Sequence, residues 1–251
     1  MSAGRVATVI AASVLILARV AAAQTPGGDP NVATPFGEPV EDRRIFVHGL
    51  FDQFEGRIGE TNGFKWDGQA WIGTDTNRLW LKSEALVNSS GTVSDGLHQI
   101  LYSRPITTYF DAQAGIRLDL DSGPSRVWGA FGIQGLAPGI FELQVTGFVR
   151  DAGHVAAKVE ASYDLLLTQR LILQPQIELN FYSKSDRARG IGPGLADMEA
   201  ALRLRYEITR KVGPYIGVVY GGKFGETATF AHRQGESAND VRFVFGLRSW
   251  F

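Results

Sequence analysis

Cysteine is absent from the 251-residue chain, which excludes a disulfide framework and any thiolate metal site or nucleophile. An excess of charge of one sign is lacking too. The 25 basic and 26 acidic residues leave a net charge of -1, so there is no electrostatic footprint for nucleic acid. Beyond Gln24 no apolar run approaches the roughly 20 residues that a membrane helix needs. The exported chain is therefore soluble, or it crosses a membrane in strands.

One apolar run stands at the N-terminus. Arg5 is followed by Val6 to Leu17 and then by the small residues Ala21, Ala22 and Ala23, which predicts a secretory signal peptide over residues 1–23, cut after Ala23. Arg19 interrupts the end of that run, and its length is too short for an anchor. Residues 24–43 are rich in Pro and Gly without periodicity and read as a flexible periplasmic leader.

From residue 44 to Phe251 the chain alternates. Leu171, Leu173, Pro175, Ile177, Leu179 and Phe181 interleave with Gln174, Gln176, Glu178, Asn180 and Tyr182, so one face is apolar and the other polar at the strand period of two. The same pattern recurs over 155–165, 111–120, 79–85 and 202–208, and the polar faces mix charges of both signs. A narrow barrel interior pairs such charges, whereas a soluble sandwich turns its polar face to bulk water. The reading is an all-β fold, a transmembrane antiparallel β-barrel of about twelve strands over 44–251. Its segments include 45–56, 97–106, 199–209, 215–223 and 241–251. Short links alternate with long ones such as 183–198 and 225–240, which puts the short turns on the periplasmic side. Two places are ambiguous: 97–120 reads either as two strands or as one long bent strand, and Pro175 predicts a bulge in mid-strand. The chain closes on Phe251, with Phe243, Phe245 and Leu247 on one face, which resembles the terminal signature of outer-membrane barrels.

The runs VEDRRIFVHGLFDQFEGR from Val40, FKWDGQAWIGTDTNRLWLKSE from Phe64, LYSRPITTYFDAQAGIRLDL from Leu101, TQRLILQPQIELNFYSK from Thr168 and LRLRYEI from Leu202 resemble the copper resistance protein B family. The resemblance implies an outer membrane location in a Gram-negative bacterium, copper ions as cargo or ligand, outer-membrane lipid around the wall, and a periplasmic multicopper oxidase in the same system. One departure stands out. Many family members carry a Met- and His-rich segment before the barrel, suited to copper. Here the methionines are Met1 and Met198 alone, so residues 24–43 are no methionine-based copper collector, and any copper site lies in the barrel or its loops.

Candidate ligands follow from imidazole, carboxylate and thioether chemistry. His48 and Asp52 share one face of the first strand, with Glu55 nearer its upper end. His154 opens the eighth strand beside the loop at Asp151, and Met198 follows the longest glycine-rich loop. Each has a bland counterpart: a hydrogen-bonded wall histidine, a solvated rim residue, or a gap-filling methionine. His98 is ambiguous in facing, and His232 reads as exposed. The lumen charges Lys65, Asp67, Lys82, Glu84, Glu160, Glu178, Arg203 and Arg205 are expected to pair and, with Trp80 and Tyr182, to narrow the pore. The resemblance implies a copper-handling protein, and because no local motif marks a serine hydrolase, the expectation is that it is not an enzyme. A phospholipase-like barrel and a passive porin are the alternatives.

Overall fold

The computed structural model describes residues 44–60, 62–121 and 123–251. The expected signal peptide and leader lie outside the described residues. The strand segments are β1 Phe46–Ile58, β2 Gly63–Gly73, β3 Arg78–Asn88, β4 Val93–Pro105, β5 Phe110–Asp119, β6 Arg126–Ala137, β7 Phe141–Arg150, β8 His154–Ser162, β9 Leu165–Leu166, β10 Leu171–Tyr182, β11 Gly194–Tyr206, β12 Val212–Lys223 and β13 Asn239–Trp250. Both β8 and the short β9 pair with β10, so they are two pieces of one wall position. β13 pairs with β1, and the ring closes as a twelve-stranded antiparallel barrel. Closure removes the free sheet edges that hydrocarbon cannot satisfy.

Burial runs opposite to that of a soluble protein. Leu79, Leu81, Ile100, Ile116, Phe131, Leu202, Ile216 and Phe243 are between 42% and 66% exposed on the outside, while Lys65, Lys82, Lys158, Arg203 and Arg205 are buried within. An apolar band facing outward around a charged interior is the membrane arrangement. The short turns, such as 74–77 and 106–109, lie at the end that carries Phe46 and Trp250, the periplasmic end by the loop-length rule.

Both ambiguities resolve. The amide of Ile106 bonds the carbonyl of Phe110 at 2.9 Å, making a tight turn, so 97–120 is two strands and not one bent strand. Pro175 sits opposite Leu202 with no register shift between β10 and β11 there. The irregularity falls on the other side. The Pro175 carbonyl accepts from Tyr163, so the ring nitrogen faces β8, and the wall breaks into β8 and β9 where a donor is missing. The predicted bulge is thus a break in the neighbouring strand.

At the extracellular end the segment read as a loop contains a helix, α1 (Gly225–Arg233), with Phe230 and Ala231 buried. Thr227 Oγ1 accepts from the Gly192 amide at 2.8 Å. Connection 183–193 reaches the β5–β6 connection, where Arg189 pairs with Asp121 and donates to the Pro124 carbonyl at 2.8 Å, and Asp186 pairs with Arg126. These contacts lay a loop and a helix over the extracellular mouth.

The seam between β13 and β1 ends in a reciprocal pair, with the Gly49 amide bonding the Phe251 carbonyl at 2.9 Å and the Phe251 amide bonding the Gly49 carbonyl at 3.0 Å. A β-carbon at Gly49 would stand 2.6 Å from the Phe251 ring. Gly49→Val is therefore expected to expel that ring and lower the fraction of barrel that migrates as a compact, unboiled species on gels. An unchanged compact fraction would show that the terminal phenylalanine does not secure the seam.

Candidate cation site in the barrel lumen

β1 carries one extra residue at Asp52, since Phe51 pairs with Gly68 and Gln53 with Asp67. This bulge inverts the alternation. His48 before it and Gln53, Glu55 and Arg57 after it all face the lumen, although 48 and 55 differ in parity. The three expected ligands on β1 do not converge. His48 lies between the rings of Trp71 and Trp250, with centroids 6.1 and 6.0 Å away. Asp52 pairs with Arg248 at 2.7 Å. Glu55 is fully buried and accepts from Arg57, Arg203 and Tyr215 at 2.8–3.1 Å. His154 stands at the extracellular rim with Nδ1 3.0 Å from the Asp151 carbonyl oxygen. Met198 pairs with Leu179 and lies on the face of Leu202 and Tyr206, which is the outer face. The expectation that Met198 looks inward is corrected: it sits inside β11, four residues after that strand's start at Gly194, and not at the tip of a loop.

What converges instead is a row that crosses the strands. Asp111, Gln134, Gln144, Glu160, Glu178, Glu199, Gly221 and Asp240 are successive register partners from β5 round to β13. Asp111 is the second residue of β5, at the periplasmic end, and Asp240 the second residue of β13, at the extracellular end. Strand tilt makes the row climb from one mouth to the other as it winds round the wall. Like charges directly opposite repel, and tethered cations offset this along the row. Arg78 meets Asp111 at 2.8 Å, Lys82 meets the side-chain oxygens of Gln134 and Gln144 at 2.5 and 2.8 Å, and Lys158 meets Glu160 and Glu178 at 3.2 Å each. Lys65 and Arg57 reach Glu199 at 3.5 and 2.7 Å, and Arg242 takes Asp240 at 2.5 Å.

Glu84, on β3, joins the row from the far wall, with Lys158 at 2.5 Å and Lys65 at 2.9 Å. Oxygen atoms of Glu84, Glu160 and Glu178 lie within 4.8 Å of one another, so the Lys158 ammonium occupies the centre of a three-carboxylate cluster. Such a cluster can exchange a tethered cation for a free one of the same or higher charge. Beside it, Trp80, Leu101, Trp128, Ala130, Phe148 and Ala156 form a buried apolar layer, with Trp71 and Tyr182 against it. On β8 and β10 this layer lies on the extracellular side of the cluster, Ala156 beyond Glu160 and Tyr182 beyond Glu178. The expected pairing is present for Lys65, Glu84, Glu160, Glu178, Arg203 and Arg205, whereas Lys82 and Asp67 have no ion pair among the described residues. The buried layer narrows the lumen as expected.

One arrangement escaped the sequence. Ser83 and His98 are direct register partners on the outer face, where Ser83 Oγ lies 3.0 Å from His98 Nδ1 and accepts from Trp66 Nε1 at 3.1 Å. Fifteen residues and a strand turn separate the two, so no local motif announces them. The second nitrogen of the ring, Nε2, has no hydrogen-bond partner among the described residues, and the acceptor that orients a catalytic histidine is missing.

Known proteins give these features a context. The family model described as copper resistance protein B precursor (CopB) matches residues 45–251. Copper resistance protein B of Escherichia coli is 45% identical over 216 residues, covering 86% of this chain and 73% of the relative. The copper resistance protein B homolog of Pseudomonas syringae pv. tomato (strain ATCC BAA-871 / DC3000) is 42% identical over the same shares. In fold the barrel is similar to a NanC porin, with a TM-score of 0.51 at 12% identity, covering 81% of this chain and 99% of that one. The closed barrel with its apolar exterior and the match across its whole length identify the chain as an outer-membrane member of the copper resistance protein B family.

Proposed function

We propose that this protein binds copper(II) in its lumen and takes part in copper homeostasis at the outer membrane, the ion exchanging with tethered ammonium groups along the row of oxygens. The observation that carries the reading is the convergence of Glu84, Glu160 and Glu178 within 4.8 Å around Lys158, in a chain of a copper resistance family. Carboxylates hold the borderline divalent ion weakly enough to release it, which suits exchange better than storage. His154 at the extracellular rim serves as an entry ligand, and His48 as a single-imidazole station at the periplasmic mouth, where a multicopper oxidase would exchange copper; Asp52, held by Arg248, takes no part. Met198, on the lipid side, has no part in this route. Catalysis is not part of the reading. The Ser83–His98 pair favours lipid hydrolysis as the second reading.

The test is copper(II) titration of the metal-stripped protein in detergent, with bound copper counted per chain. Glu160→Gln with Glu178→Gln is expected to weaken binding about tenfold or more, and Lys158→Met, which removes the competing cation, to tighten it. Unchanged binding in both would remove the cluster as the site. Free fatty acid released by the same wild-type preparation, and abolished in Ser83→Ala, would favour the hydrolase.

A further inference from the structure

We propose that Lys82 is the selectivity plug of the lumen, a tethered cation held by neutral oxygens that bars free cations from passing between the acidic extracellular half and the periplasmic mouth. This rests on the reading above in one respect, that the carboxylates of the climbing row are where cations sit.

Lys82 leaves β3 and crosses part of the lumen to reach β5, β6 and β7, where its Nζ lies 3.2, 2.5 and 2.8 Å from the side-chain oxygens of Gln113, Gln134 and Gln144. All three acceptors are amides. Lys65 and Lys158, the other lysines on this row, rest on carboxylates, whereas Lys82 forms no ion pair among the described residues. It is only 8% exposed. A buried ammonium without a counter-charge is costly, and amide dipoles lower that cost without cancelling the charge, as carbonyl oxygens do in a filter.

The position matters as much as the charge. From Glu160 up through Glu178 and Glu199 the row is anionic, and at Asp111 it is anionic again. Between them Gln144 and Gln134 carry no charge, and there a cation without a contacting counter-charge sits. A metal ion stepping down from Glu160 loses its carboxylates and meets a positive charge in their place. The oxygens nearest this point are already taken up by the ammonium. Gln113 Nε2 and Trp80 Nε1 are buried donors with no partner among the described residues, Gln99 Oε1 on the register partner of Lys82 is a neutral buried acceptor, and Nζ stands 5.5 Å from the centroid of the Trp80 ring. Cargo entering from outside is therefore held above Lys82 while that side chain stays in place.

Single-channel recording in planar bilayers under a potassium chloride gradient tests this with K⁺ as the probe. Wild type is expected to conduct weakly. Lys82→Met should raise conductance about tenfold and move the reversal potential toward that of K⁺, Lys82→Arg should behave as wild type, and Gln144→Glu, which gives Lys82 a counter-charge, should move the reversal potential the same way. A Lys82→Met barrel that shows the compact gel form yet conducts as wild type would overturn the plug. If that variant does not assemble, an unchanged reversal potential in Gln144→Glu overturns it. Copper titration of the same variants keeps the two readings apart. Binding retained in a Lys82→Met barrel that conducts as wild type sinks the plug alone. Increased conductance in Lys82→Met, beside unchanged copper binding in Glu160→Gln with Glu178→Gln and in Lys158→Met, sinks the copper site alone.

Discussion

Replacing Glu55 with Ala is expected to lower the stability of the barrel by about 3–5 kcal/mol, the range for breaking a buried ion pair from one side. Glu55 is fully buried. Its two oxygens hold Arg57 at 2.8 Å, Arg203 at 3.0 and 3.1 Å and the Tyr215 hydroxyl at 3.0 Å. Arg57 keeps Glu199 as a second partner, but Arg203 would keep only Gln176, at 2.5 Å, as a hydrogen-bond partner, beside the Tyr215 ring. The loss therefore falls mostly on one uncompensated guanidinium. Urea unfolding of the protein inserted in vesicles measures it, and Glu55→Gln should recover part of the loss through its remaining hydrogen bonds. A drop below about 1 kcal/mol, the range of exposed pairs, would mean that water screens this part of the lumen.

Gly115→Ala is expected to prevent assembly of the barrel in most of the protein. A β-carbon there would lie 2.0 Å from the Ile100 carbonyl oxygen and 2.9 Å from the Leu101 Cα, both backbone atoms of the paired strand. Neither can yield as a flexible side chain would. The clash drives β4 and β5 apart, and each ladder bond lost in hydrocarbon leaves groups whose satisfaction is worth several kcal/mol. The compact gel species after refolding in detergent reports the effect, with Gly91→Ala as a control. Gly91 has open space around it, and the strain of its positive φ is confined to an exposed turn. Equal assembly of the Gly115 variant and wild type would refute the close approach.

Much of this architecture was legible in the chain. The alternation at 171–182, the turn residues and the apolar face ending on Phe251 sufficed for twelve strands and their direction. Strand ends were not legible where β4, β11, β12 and β13 continue past the apolar pattern, because near the mouths both faces meet water and the period of two loses its contrast. Helix α1 was missed for a related reason: only Thr227, Phe230 and Ala231 of its nine residues are buried. The facing of Glu55 depends on the bulge at Asp52, which no propensity announces. The climbing row was out of reach altogether, since it is a property of the register between strands. Glu84, Glu160 and Glu178 come from three strands, and only pairing brings them together. The expected charge pairing on the inner wall needed no register, which is why it holds for most of the charges named, Lys82 and Asp67 excepted, whereas the inward facing expected of Met198 failed on register.

The ties across the lumen also have a consequence for the order of events in assembly. Lys158 meets Glu84 from 74 residues away, Arg57 meets Glu199 from 142 and Arg203 meets Glu55 from 148. Contacts this distant in sequence cannot form while the sheet is still open, and they add to the slowness of a high-contact-order topology. Until β13 reaches β1, these ions remain hydrated and the growing sheet keeps a wet inner face. Shutting the seam expels that water and locks the ions in one late event. The same charges that fill the finished lumen thus discriminate during biogenesis: a strand docked one residue out of register would turn Glu55, Lys158 or Arg203 toward lipid and would be rejected before closure.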